Sequence, residues 1–145
     1  MGRLRLAAYT LAFFLLLTAA VTVYYWIDFF TAGAVHVLEE EWYLKFEAAF
    51  PAADMWMAAC CTLAAAALIK RKDYSLLFML LAASALIFLA LMDITFNLEN
   101  SLYQLVSESS EMQFELVINI YTLTLGVVLI LFSWRNRGKL LRGEL

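Results

Sequence analysis

Four apolar stretches, at 6–27, 51–69, 74–92 and 114–134, constrain this chain more than anything else in it. Each approaches or exceeds the roughly 20 residues that a helix needs to cross a bilayer. The expected fold is therefore an all-α integral membrane protein, a bundle of four transmembrane helices. Composition agrees. The chain is 65% hydrophobic with a mean hydropathy of +0.80, whereas a soluble domain is nearer half apolar. The 145 residues form a single domain, with one proline, no linker and no repeat. Arg3 and Arg5 precede the first stretch in the manner of a signal peptide. A secretory core is only about 7–15 residues long, however, and this one continues into Tyr24, Tyr25 and Trp26, an interfacial aromatic belt. It reads as a retained helix.

Charge then orients the chain. Arg3 and Arg5, Lys70, Arg71 and Lys72, and Arg135, Arg137, Lys139 and Arg142 all fall on one side of a four-pass topology. These are nine of the ten basic residues, against only two acids, Asp73 and Glu144. Lys45 lies on the other side with the remaining eleven acids, so charges of +7 and −10 combine to the net −3. The excess of lysine and arginine predicts cytoplasmic N- and C-termini in a plasma or inner membrane, with an acidic extracytoplasmic face. Nucleic acid is disfavoured as a partner, because the basic clusters are short and adjacent to membrane. The lipid bilayer itself is the expected partner.

Helices are expected at about 6–31, 51–70, 73–105 and 110–137. Gly33 should break the first. Between the first and second, over about 34–49, Val35, Leu38, Trp42, Phe46 and Ala49 recur every three or four residues, with Glu39, Glu40 and Glu47 opposite. This predicts an amphipathic interfacial helix packed over the mouth of the bundle. Pro51 suits a first helical turn, and Asp54 just after it favours the positive end of the helix dipole. The thin run 58–67 should make the second spanning helix the most buried. Asp73 is placed to cap the third, and Ser110 with Gln113 to form a capping box for the fourth, which Gly138 should end.

No metalloprotease, nucleotide-binding, nucleophile-elbow or paired-cysteine motif is present. His36 is the only histidine, which excludes a haem with two axial histidines and reads as structural. Cys60 and Cys61 are neighbours about 100° apart on a helix and read as small packing residues. No cofactor and no metal ligand is assigned, and no catalytic residue can be named.

What stands out is polar. Asp93, Asn97 and Asn100 share one helical face, and so do Glu115, Asn119 and Thr122 on the next helix. Asp28 lies at the outer end of the first. Polar groups at membrane depth should face the bundle interior. Asp28, Asp93, Asn97, Glu115, Asn119 and Thr122 are therefore the candidate ligand-binding residues, forming a cup that opens outward. Several carboxylates there would attract a cation, or share protons.

The order of parts resembles the four-helix membrane family that includes sterol isomerase-like and sigma-2 receptor-like proteins. The likeness lies in the cytoplasmic termini, Asp28 at the outer end of the first helix and Asp93 at that of the third. The family also implies an acid within the second helix, whereas 55–69 carries no charge. Three readings follow. The first is a non-enzymatic protein that binds a cation or small amphipathic ligand in the acidic cup, in the manner of a transporter or channel subunit. The second is a membrane enzyme, or a binder of sterol-type lipid, that uses the cup carboxylates. The third is an accessory subunit, in a homo-oligomer or larger membrane complex, whose polar stripes dock a partner.

Overall fold

The computed structural model describes residues 2–144. Its elements, in chain order, are α1 (Gly2–Thr31), α2 (Glu41–Glu47), α3 (Pro51–Ile69), α4 (Ser75–Glu99), a 3-10 turn (Leu102–Ser107) and α5 (Ser110–Leu141). The described residues contain no strand. Among the described residues, four helical segments are long and apolar enough to cross a membrane, the second being α2 and α3 in series.

The helices pack in chain order, α1 on α3, α3 on α4 and α4 on α5. Small side chains set the spacing. Ala58, Cys60, Cys61, Ala64, Ala65 and Ala67 are all buried, and α3 belongs to the most buried of the four segments, as its thin sequence implies. Cys60 and Cys61 remain free thiols. Gly126 brings α5 close to α4. A Cβ there would sit 2.6 Å from Ile87 Cγ1 and 3.1 Å from the Ala83 carbonyl oxygen.

The turn between α3 and α4 is tight because Arg71 takes a left-handed conformation, φ 52°. That lets Lys72 N–H reach back to the Ala67 carbonyl. Gly33, φ 71°, closes α1 as expected, with its N–H on the Asp28 carbonyl.

Several boundaries differ from the sequence reading. α1 begins at Gly2 rather than near residue 6. The helix expected over 73–105 starts at Ser75 and stops at Glu99, because Ser101 turns left-handed, φ 58°. Leu102 is thereby driven into a buried cluster with Tyr43 and Met112. Asp73 accepts from the adjacent Tyr74 N–H rather than capping the helix. The last helix runs beyond residue 137 to Leu141. Leu140 is fully buried, which holds the extra turn, and Gly143, φ 65°, makes the stop in place of Gly138. Its cap is Ser109, whose Oγ accepts from Met112 N–H, one residue earlier than expected.

The largest correction concerns 34–49. Only Glu41–Glu47 is helical. The residues before it are tied down by side chains instead. Asp28 Oδ2 accepts Val35 N–H at 3.0 Å, and the His36 ring spans Phe29 O at 3.1 Å and Glu39 Oε1 at 3.2 Å. The short α2 turns Tyr43 as well as Phe46 to the bundle: Tyr43 is buried and Phe46 stacks flat on Phe96 at 3.6 Å, while Trp42 is 47% exposed. Together with the 3-10 turn, α2 covers the end of the bundle where the polar stripes lie.

Candidate ligand pocket

α1 and α5 are the two edges of this array, and a pocket of about 310 Å³ lies between them. Leu17, Thr18, Val21, Thr22, Tyr25 and Trp26 of α1 form one wall. Phe114, Glu115, Val117, Ile118, Tyr121 and Thr122 of α5 form the other. Its back is made by Asp54 and Met57 of α3 and by Leu89, Ala90 and Asp93 of α4. Glu47 of α2 and Phe50 complete it towards the capped end. The rim residues Leu17, Val21, Phe114 and Val117 are exposed, so the pocket opens sideways between α1 and α5. This differs from a cup open at the end of the bundle, where Tyr43, Leu102 and Met112 pack as a cap.

Four carboxylates face this space, Glu47, Asp54, Asp93 and Glu115, and no lysine, arginine or histidine is among its walls. Three of them are held by neutral donors. Tyr25 OH donates to Glu47 Oε2 at 3.1 Å, and Trp26 Nε1–H to Asp54 Oδ2 at 2.8 Å. Glu115 receives Tyr43 OH at 3.3 Å on Oε2 and the Asn97 amide on Oε1. Asp93 is partly buried and has no such donor among the described residues. The remaining walls are aliphatic and aromatic except for Thr18, Thr22 and Thr122. A small volume with an apolar lining and a few convergent polar groups is the usual form of a small-molecule site.

Of the residues singled out in the sequence, Asp93, Glu115 and Thr122 line the pocket. The Thr122 hydroxyl is used within its own helix, donating to Ile118 O at 2.8 Å. Asn97 stands behind Glu115 and orients it. Asn119 is fully buried outside the lining, with its amide on Tyr103 OH at 3.3 Å. Asp28 does not belong to the group, since its carboxylate holds the Val35 N–H and so secures the loop after α1. Among the described residues, no three histidine, cysteine, aspartate or glutamate side chains gather closely enough to hold a metal ion.

Sequence reasoning missed Glu47, Asp54, Tyr25, Tyr43 and Tyr121. The periodicity of 35–49 places Glu47 opposite the apolar stripe, although Tyr43 and Glu47, four residues apart, share a face. Asp54 had a sufficient local explanation at a helix start. Only the approach of Trp26 from α1 shows its second partner. Comparison with protein-family models, with curated proteins and with solved structures finds no match to this chain.

Proposed function

We propose that this is a non-enzymatic integral membrane protein that binds a small amphipathic ligand through a cationic group. The termini lie in the cytoplasm and α2 lies at the outer interface. The observation that carries the ligand reading is the charge imbalance of the pocket, four carboxylates and no basic side chain in a wall that is otherwise mostly apolar. Even half-buried carboxylates are costly without a partner, and a cation entering among them offsets that cost. Asp93, without a donor of its own, is the natural counter-ion. The sideways opening suits a ligand that arrives dissolved in lipid. A simple metal cation is less well served, because the carboxylates do not gather into a chelating group.

Trp26 reports directly on the pocket through its bond to Asp54. Trp42, Trp56 and Trp134 are exposed, so Trp42→Phe, Trp56→Phe and Trp134→Phe together leave Trp26 as the lone tryptophan. Hexylamine should then shift Trp26 emission saturably, and hexanoate at equal concentration should not. Asp93→Asn should weaken the amine response by about tenfold. Equal responses to amine and carboxylate would reject the reading.

Orientation rests on the charge asymmetry and has its own test. In a chain lacking Cys60 and Cys61, Glu108→Cys should react with an impermeant thiol reagent on intact cells, and Glu144→Cys should react only after lysis. The opposite pattern would reverse the topology.

A further inference from the structure

A second cavity, of about 550 Å³, lies further along the same α1–α5 seam. Thr10, Leu11 and Phe14 of α1 form one side, and Ile120, Thr124, Leu125 and Val128 of α5 the other. It contains no charged residue. Val117 and Tyr121 belong to the walls of both cavities, so the two spaces adjoin. The boundary is a polar bridge across the seam. Tyr121 OH lies 2.8 Å from Thr18 Oγ1 and donates to Phe14 O at 3.1 Å. Thr18 lines the first cavity and Phe14 the second. From Thr10 to Trp26 the combined groove follows α1 over sixteen residue steps, about 24 Å at 1.5 Å per residue. That exceeds the roughly 15 Å of one leaflet of a hydrocarbon core about 30 Å thick.

We infer that the ligand is a single-chain amphiphile, with a cationic head in the acid-lined pocket and a hydrocarbon tail that passes over Val117 and Tyr121 into the second cavity. This rests on the ligand reading proposed above and extends it to the class of molecule. Continuity of the walls carries the argument. Charge is confined to one end of the groove, and the other end offers only apolar surface and threonine. The Thr18–Tyr121 bridge narrows the seam between them, so a flexible chain can follow the groove where a broad fused-ring body would have to break the bridge. Val117, 62% exposed, leaves the outer side of the crossing open.

The test uses the full chain in lipid nanodiscs with two dodecylamine probes. One carries a photoreactive diazirine beside the amine, the other at the far end of the chain. Labelled peptides are located by mass spectrometry. The near-head probe should label the walls around Trp26, Asp93 and Glu115. The far-end probe should label Thr10–Phe14 and Ile120–Val128. Excess unlabelled dodecylamine should remove both patterns, and Asp93→Asn should lower both by about tenfold, as loss of a charge-assisted contact predicts. Thr124→Phe with Val128→Phe, both at exposed positions, should displace the far-end label and spare the near-head label. Near-head labelling as expected, with far-end labels scattered over the lipid-facing surface or insensitive to Asp93→Asn, would assign the second cavity to ordinary bilayer lipid and overturn the inference. Absence of near-head labelling would overturn the pocket reading and this inference with it.

Discussion

The α4–α5 seam and the α1–α5 seam share a helix and differ in how they are filled. At α4–α5, Gly126 lets backbone approach backbone, with Ile87 and the Ala83 carbonyl packed against it. At α1–α5, a long tyrosine reaches across to Thr18, and cavities lie on either side of that bridge. Lipid chains are as apolar as leucine, so helices in a bilayer gain little from merely touching. They close where small residues permit dense packing. Where a polar bridge holds larger side chains apart, space for a ligand persists. One face of α5 is therefore close-packed, and another borders open space.

The largest expected effect attacks the tight seam. Gly126→Leu would force a branched side chain into Ile87 and the Ala83 carbonyl. Overpacking of this kind costs roughly 1–3 kcal/mol, and occasionally more. Thermal unfolding in detergent should show it, whereas Val127→Leu, on an exposed neighbour, should stay within about 0.5 kcal/mol. Equal melting temperatures for the two variants would mean that α4 and α5 are not close-packed.

The second test asks how the polar end of the tight seam is organised. Asn97 and Glu115 join α4 to α5, so Asn97→Ala and Glu115→Gln should couple by about 0.5–3 kcal/mol in a double-mutant cycle. Asp28→Asn should combine additively with Glu115→Gln, to within about 0.3–0.5 kcal/mol, because Asp28 serves Val35 instead. Coupling of Asp28 to Glu115 would restore it to the ligand site.

The smallest effect belongs to the open seam. Tyr121→Phe removes the hydroxyl that meets Thr18 Oγ1 and Phe14 O. The net cost should be about 0.5–1.5 kcal/mol, since Thr18 keeps its own bond to Phe14 O at 2.8 Å. A loss larger than that of Gly126→Leu would invert the comparison and make the bridge the main tie of the bundle.

Much of the fold was legible because it depends on local chemistry. Hydrophobic length announced four helices, Gly33 and Pro51 marked ends, and Lys70-Arg71-Lys72 allowed only a short turn. Boundaries failed where a distant contact paid no heed to local preference. Leu140 buried itself past Gly138, and Leu102 left the helix to join Tyr43 and Met112. The site was half legible. Asp93 and Glu115 could be found, because a carboxylate in an apolar run demands explanation on its own. Tyr25 and Trp26 could not, because aromatic residues near a helix end are equally at home in an interfacial belt.

The sequence by itself determined how many helices are long enough to span a membrane, roughly where they lie, the segregation of charge and two of the pocket carboxylates. These follow from composition and spacing along one helix. Only the tertiary structure decided which faces meet. A helix apolar on every side has no periodicity to separate a buried face from a lipid-facing one. Nothing in the α1 or α5 sequences therefore signals that their shared seam stays open. Nor does anything local show that Glu47 and Asp54 turn towards it while Asp28 turns away. Those outcomes depend on small-residue packing at α3 and at Gly126, which fixes three helix pairs and leaves the fourth to a hydrogen bond between Thr18 and Tyr121.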